Sequence, residues 1–245
     1  MINYYFCSER RPMMEKMSFE GSSCTISSHV CRCFEKLTPD ELDYLNANSV
    51  IIKYKRRELI CKKGGFVSHV MFVESGLAKA FLDDGVNSLV LKIIPPKNLL
   101  GLTSLSEDLN TYQYSAMAYI DSDIKQIDVN VFRKLVSTNA EFAKEVINIL
   151  SANSVQIYGR FFCLTHKQAF GRMADIILCL ANRVFKQSEF DLPLSRKDLA
   201  ELSGMSSETV IRMLKKFTDD GLIVIDGKSI KVVDQERLQR ISELG

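Results

Sequence analysis

Leu194-Ser195-Arg196-Lys197-Asp198-Leu199-Ala200-Glu201-Leu202-Ser203-Gly204-Met205-Ser206-Ser207-Glu208-Thr209-Val210-Ile211-Arg212-Met213-Leu214-Lys215-Lys216-Phe217 reads as two short helices meeting at a sharp turn. Ser195, with Asp198 three residues on, has the pattern of a reciprocal N-terminal cap. Leu199, Ala200 and Leu202 supply the inward face. Gly204 suits the left-handed conformation that ends a helix and redirects the chain. Ser206 then caps a second helix predicted over Ser207 to Phe217, with Val210, Met213, Leu214 and Phe217 inward. Two short helices about a glycine-containing turn form a helix-turn-helix. Beyond it, Leu222 to Ile225, Asp226-Gly227 and Ile230 to Val233 predict a hairpin wing with Lys228 near its tip.

The outward face of the second helix carries the chemistry. Ser207, Glu208, Ile211 and Arg212 lie there, followed by Lys215 and Lys216. Arg212 can donate two parallel bonds to guanine O6 and N7, and Glu208 can accept from a cytosine amino group. An acid at this place would hinder a surface that only gripped phosphates. Ser206 and Thr209, beside the helix N-terminus, suit phosphate oxygens, and Lys228 suits a backbone phosphate. The alternative is a protein-contact domain in which Glu208 and Arg212 form an i,i+4 surface ion pair.

Upstream, the apolar positions Ala143, Ile147, Leu150, Ile157, Phe161 and Leu164 alternate at spacings of four and three, with Ser154 as the polar member. This is a heptad seam over Asn139 to Leu164. It can pack on the chain's own β domain or on a second copy, and the sustained 3.5-residue period favours a homodimer. A second helix is predicted from Lys167 to Phe185, and Lys186 to Leu194 reads as a connection. From Val50 to Asp128 short apolar runs are punctuated by Gly64-Gly65, Ser75-Gly76, Asp83-Asp84-Gly85 and Pro95-Pro96, the texture of a β-sandwich, barrel or roll. Asp84-Gly85 signals a hairpin. Thr38-Pro39-Asp40-Glu41 starts a short helix. The organisation expected is a cysteine-containing segment over 1–33, a β sensor domain over 34–137, a dimerisation helix over 138–166 and a DNA-binding domain over 167–245.

Composition is ordinary for a globular chain of 245 residues, with net charge +2, so any nucleic-acid contact must use a local basic face. No apolar run approaches the ~20 residues of a membrane span, and no secretory signal precedes the fold, so a cytoplasmic location and no membrane partner are expected. Seven cysteines in such a compartment argue against a disulfide framework. Cys163 and Cys179 lie among apolar neighbours and read as core. Lys53, Lys55, Arg56 and Arg57 form the densest basic run, read first as a solvated strand edge and second as a contact with flanking DNA. No nucleophile–base pair, phosphate loop or metal-protease spacing points to an enzyme.

The segments Leu194 to Ala200, Gly204 to Lys215, Gly221-Leu222-Ile223 and Gly227-Lys228, centred on Glu208-Thr209-Val210-Ile211-Arg212, resemble the DNA-binding domain of the CRP/FNR family of bacterial regulators. Gly64, Gly76, Gly85 and Gly101 fall where that family's β-roll turns, so the resemblance spans about Phe34 to Val233. It implies an α+β fold: an N-terminal double-stranded β-helix of the cyclic-nucleotide-binding type, a long dimerisation helix and a C-terminal winged helix-turn-helix. It also implies a homodimer on palindromic double-stranded DNA that activates or represses transcription with RNA polymerase as a partner. By carry-over Glu208 and Arg212 read bases, while Arg196, Ser206 and Thr209 hold phosphates.

The sensor departs from the family's nucleotide pattern. Cyclic-nucleotide-binding members hold the phosphate with a Gly-Glu pair and an Arg-Ser or Arg-Thr pair. Here the matching positions are Gly101-Leu102 and Tyr114-Ser115, so the glutamate and the arginine are both absent. A buried phosphate without its guanidinium is left unpaired at large cost, so cyclic AMP is not the expected effector. Gly101, Leu102, Tyr114 and Ser115 are then structural or line a pocket for another ligand. A cyclic-nucleotide-binding regulatory module is the rival reading. The iron–sulfur branch of the family resembles the chain more closely, because Cys24, Cys31 and Cys33 precede Leu37-Thr38-Pro39-Asp40-Glu41-Leu42. A cluster needs four thiolates or equivalent donors. The family's distant cysteine falls near Lys125, so Cys7, Cys61 or His29 would have to substitute. Metal binding, thiol redox sensing and unreactive cysteines all remain open for this trio.

Overall fold

A computed structural model describes residues 30–85 and 88–245. The expected turns and caps organise the chain as an α+β fold. Helix α1 (Pro39–Ala47) starts at Thr38, whose side chain accepts from the Glu41 amide while Glu41 answers the Thr38 amide. Eight strands follow: β1 (Ser49–Tyr54), β2 (Leu59–Cys61), β3 (His69–Ser75), β4 (Ala78–Asp83), β5 (Ser88–Ile94), β6 (Leu99–Leu100), β7 (Ser115–Ala118) and β8 (Ser122–Asp128). They form two antiparallel sheets, ordered β1-β8-β3-β6 and β2-β7-β4-β5. Apart from the β4–β5 hairpin, consecutive strands alternate between the sheets, which makes the roll. Gly76 takes a left-handed φ of +90° at the β3–β4 turn. A Cβ there would meet the Ser122 hydroxyl and the Asp121 carbonyl, so only glycine fits.

Alternation along the strands sorts three cores. Ala78, Ala80, Ile94, Ala116, Ala118 and Ile124 fill the space between the two sheets. On the outside of the first sheet, Val70, Phe72 and Ile127 meet helix α2 (Val129–Thr138) and the start of α3 (Ala140–His166). On the outside of the second, Leu77, Phe81, Val90, Ile93 and Tyr119 join the C-terminal domain in one continuous cluster. Among the described residues no helix is long and apolar enough to cross a membrane.

The 27-residue α3 resolves the two readings of its seam. Phe142, Val146, Ile149, Arg160 and Cys163 are buried against the chain's own domains. One residue on, Ile147, Ile157 and Phe161 lie 53–67% exposed, with Ala143, Leu150 and Leu164 half-buried. Both rows keep the 3.5-residue period; the first is buried within the chain, whereas the second touches it through Leu150 and Leu164 and leaves Ile147, Ile157 and Phe161 exposed.

After α3 come α4 (Ala169–Cys179) and a six-residue π-helical stretch, Leu180–Phe185. The single helix expected over Lys167 to Phe185 therefore changes winding at Leu180. The stretch Lys186 to Leu194, expected as a connection, contains strand β9 (Glu189–Asp191). The C-terminal domain continues with α5 (Arg196–Ser203), α6 (Ser207–Asp219), β10 (Ile223–Asp226), β11 (Ser229–Val232) and α7 (Gln235–Leu244). The wing is a three-stranded sheet, ordered β10-β11-β9, because β11 also pairs with β9. Helix α7 packs on α4, where Gly171 lies against the backbone of Gly245.

Candidate nucleic-acid interface

Local capping sets the geometry of the reading helix. Ser195 accepts from the Asp198 amide, and Asp198 accepts from the Ser195 amide at 2.8 Å, so the first turn of α5 is closed. Gly204 ends α5 at φ +62°, and Ser206 accepts from the Thr209 amide to begin α6. Val210, Met213, Leu214 and Phe217 are buried, which fixes the rotation of α6 about its axis. Glu208, Ile211, Arg212, Lys215 and Lys216 consequently face solvent. Ser207 and Thr209 are half-buried beside the helix start. Glu208's own amide and the Ser206 hydroxyl hold its carboxyl below the usual range, so it stays ionised as an acceptor.

A second group of cations lies between the start of α5 and the wing. Arg196, at the first turn of α5, and Lys228, exposed in the β10–β11 turn, line one cleft of about 270 Å³ together with Arg56. Arg56 comes from the β1–β2 turn and donates to the Pro193 carbonyl at 2.9 Å. Its place in the basic run was legible; its arrival beside the wing depends on domain packing that no local pattern reports.

The domains meet at a charged, buried seam. Lys79, only 5% exposed on β4, contacts Glu201 on α5 at 2.6 Å and approaches Asp198 at 4.0 Å. Arg160 of α3, 4% exposed, donates to the carbonyls of Val90 in the roll and Leu202 at the end of α5. Burial lowers its pKa to about 10, and it remains charged at neutral pH. Sequence reasoning missed both residues, because a single cation in an apolar pattern gives no sign of its partner.

The positions expected for an effector are engaged with protein. Leu102 is buried in the core beneath the first sheet, with Leu99 and Val129. The Tyr114 hydroxyl accepts from the Gly101 amide at 2.8 Å. Burial raises the Tyr114 pKa well above the ordinary phenol value. Ser115 is buried and its hydroxyl accepts from the Lys63 amide at 3.1 Å. Thus the Gly101 amide already has an acceptor within the chain.

Of the cysteine trio, Cys24 lies outside the described residues. Cys31 and Cys33 converge, with sulfurs 2.9 Å apart. The shared contact lowers the Cys31 thiol's pKa and raises that of Cys33. Cys61 lies in the separate core between the sheets, and Lys125 donates to Asn46 at 2.6 Å. Among the described residues no group of three potential metal donors assembles. Among the described residues Cys31 and Cys33 thus bring two thiols together, where a cluster needs four thiolates or equivalent donors.

Two family models match the chain. Residues 171–241 match the Crp-like helix-turn-helix domain and residues 51–139 the Cyclic nucleotide-binding domain. Electron transport regulator A of Shewanella oneidensis is 26% identical over 235 residues, covering 91% of this chain and 92% of the relative. The CRP-like cAMP-activated global transcriptional regulator of Mycobacterium tuberculosis is 25% identical over 213 residues, covering 84% and 94%. The structure of FixK2 from Bradyrhizobium japonicum superposes with a TM-score of 0.72 at 20% identity, over 79% of this chain and 96% of that one.

Proposed function

We propose that this chain is a transcription regulator of the CRP/FNR type, which binds palindromic DNA as a homodimer through its helix-turn-helix and does not respond to cyclic AMP. The observation that carries the dimer is the second row of α3. Ile147, Ile157 and Phe161 hold a heptad period on an exposed face, an arrangement that self-pairing would bury. Two-fold symmetry would then present two α6 helices to successive major grooves, half-sites one helical turn apart.

Glu208 and Arg212 read base edges, and Arg196, Ser206, Ser207, Thr209, Lys215 and Lys228 hold the backbone in register. The relative from Mycobacterium tuberculosis is cAMP-activated, but this chain has Leu102 and Tyr114 where the phosphate-binding pairs stand. The Tyr114–Gly101 bond supports the same conclusion, because a bound cyclic phosphate would have to break it.

Analytical ultracentrifugation and gel shift on a selected palindrome test this reading. The parent chain is expected to sediment as a dimer and shift the palindrome, with unchanged affinity when cyclic AMP is added. Ile157→Asp with Phe161→Asp is expected to give a folded monomer that has lost palindrome binding. A monomeric parent would overturn the dimer, and cAMP-enhanced DNA binding would overturn the assignment of Tyr114.

A further inference from the structure

We propose that Cys31 and Cys33 form a redox modification site, a dithiol that a hydroperoxide closes into an intramolecular disulfide. Geometry carries it. The two sulfurs stand 2.9 Å apart, and a disulfide of ~2.05 Å needs them to close by less than ~1 Å. Arg32 between them takes φ −115° and ψ 11°, a bend that opens the 3-10 turn Cys33–Lys36. The Cys31 amide donates to the Lys97 carbonyl at 2.8 Å, which anchors the first thiol on the roll. Cys33 is fully buried beside Phe142 and Val146 of α3, which holds the second. The pair is thus held together from both sides.

Their exposures differ and assign the roles. Cys31 is partly exposed, so a small oxidant reaches it first; Cys33 is fully buried. The Cys31 thiolate attacks the peroxide O–O bond, giving a sulfenic acid and releasing hydroxide, or an alkoxide from an organic peroxide. The Cys33 sulfur then attacks the Cys31 sulfur; the S–OH bond breaks and water leaves with the Cys33 proton. For hydrogen peroxide, two thiols and one peroxide give one disulfide and two waters. A small-molecule thiol reverses the change by exchange. The product would tie the 3-10 turn at the foot of α3, where Phe34 packs edge-on to Phe72 at 5.1 Å and lies 6.5 Å from Phe142.

The test uses the full chain with Cys7→Ser and Cys24→Ser, so that no other N-terminal thiol competes. After one equivalent of hydrogen peroxide, free thiols are alkylated and the protein is cut with trypsin, which cleaves between Arg32 and Cys33. A disulfide then survives as a cross-linked pair of peptides, one ending at Arg32 and one starting at Cys33. The expected result is that cross-link, lost on adding dithiothreitol. Cys33→Ser is expected to leave a Cys31 sulfenic acid that dimedone traps. Should Cys33→Ser fail to fold, the cross-link in the parent decides alone. Recovery of both cysteines as alkylated thiols would overturn the proposal. So would iron in anaerobically prepared natural-sequence protein that Cys31→Ser removes, because the thiol would then be a metal ligand.

Discussion

The reading domain and the roll follow one family plan, yet they treat their ligand-facing positions in opposite ways. On α6 the positions that would touch DNA, Glu208, Ile211 and Arg212, are outward and free for an external partner. In the roll the positions that would touch a nucleotide are turned to the protein. Leu102 is core, Tyr114 holds the Gly101 amide, and Ser115 holds the Lys63 amide. A polar group that already has a buried partner gains little from a ligand and loses its bond on binding one. One fold can therefore keep a site's shape while closing its chemistry.

Four substitutions probe that contrast. Leu102→Ala should destabilise the chain by about 2–5 kcal/mol, the range for a buried leucine cavity, measured by urea unfolding. A loss near zero would return Leu102 to a pocket wall. Arg212→Ala should leave unfolding unchanged and lose ~1–3 kcal/mol of discrimination at one base pair per half-site. Wild-type sequence preference in a binding-site selection would remove Arg212 from the base-reading set. Tyr114→Phe should cost about 1 kcal/mol of stability, because the Gly101 amide loses its acceptor. An unchanged midpoint would mean that another acceptor takes over. Arg56→Ala should have the smallest effect: uniformly weaker DNA binding, with the salt slope reduced by about 1 if it meets one phosphate. An identical slope would leave Arg56 as a purely interdomain contact through Pro193.

The reading domain was legible because its signals are local. Ser195 with Asp198, Gly204 and Ser206 each decide a helix end within four residues, and the observed caps follow them. Strand β9 was not legible. Glu189-Phe190-Asp191 is too short for a periodic pattern and becomes a strand by pairing with β11 some forty residues on. Helix α7 sets Leu238 and the half-buried Ile241 against the core, an apolar stripe too short to mark it in the sequence. The seam of α3 was legible as a period but not as a pair of rows. A 3.5-residue repeat fits both faces, and only packing shows that Phe142, Val146 and Ile149 are engaged while Ile147, Ile157 and Phe161 are not. The closeness of Cys31 and Cys33 depends on the bend at Arg32, which spacing alone does not fix.

Helix α3 touches Cys33's core at Phe142 and holds the carbonyl of Leu202 through Arg160. At 1.5 Å per residue these two points are about 27 Å apart along the rod. A rod of that length is a lever: tilting it by roughly 5° about the Phe142 end carries the Arg160 end through ~2 Å. That travel is more than the whole range between a good hydrogen bond and none. Lys79 and Arg160 are too buried to find water as a substitute partner. The reading domain is therefore geared to the foot of the helix: it either follows the tilt or gives up its hold on the roll.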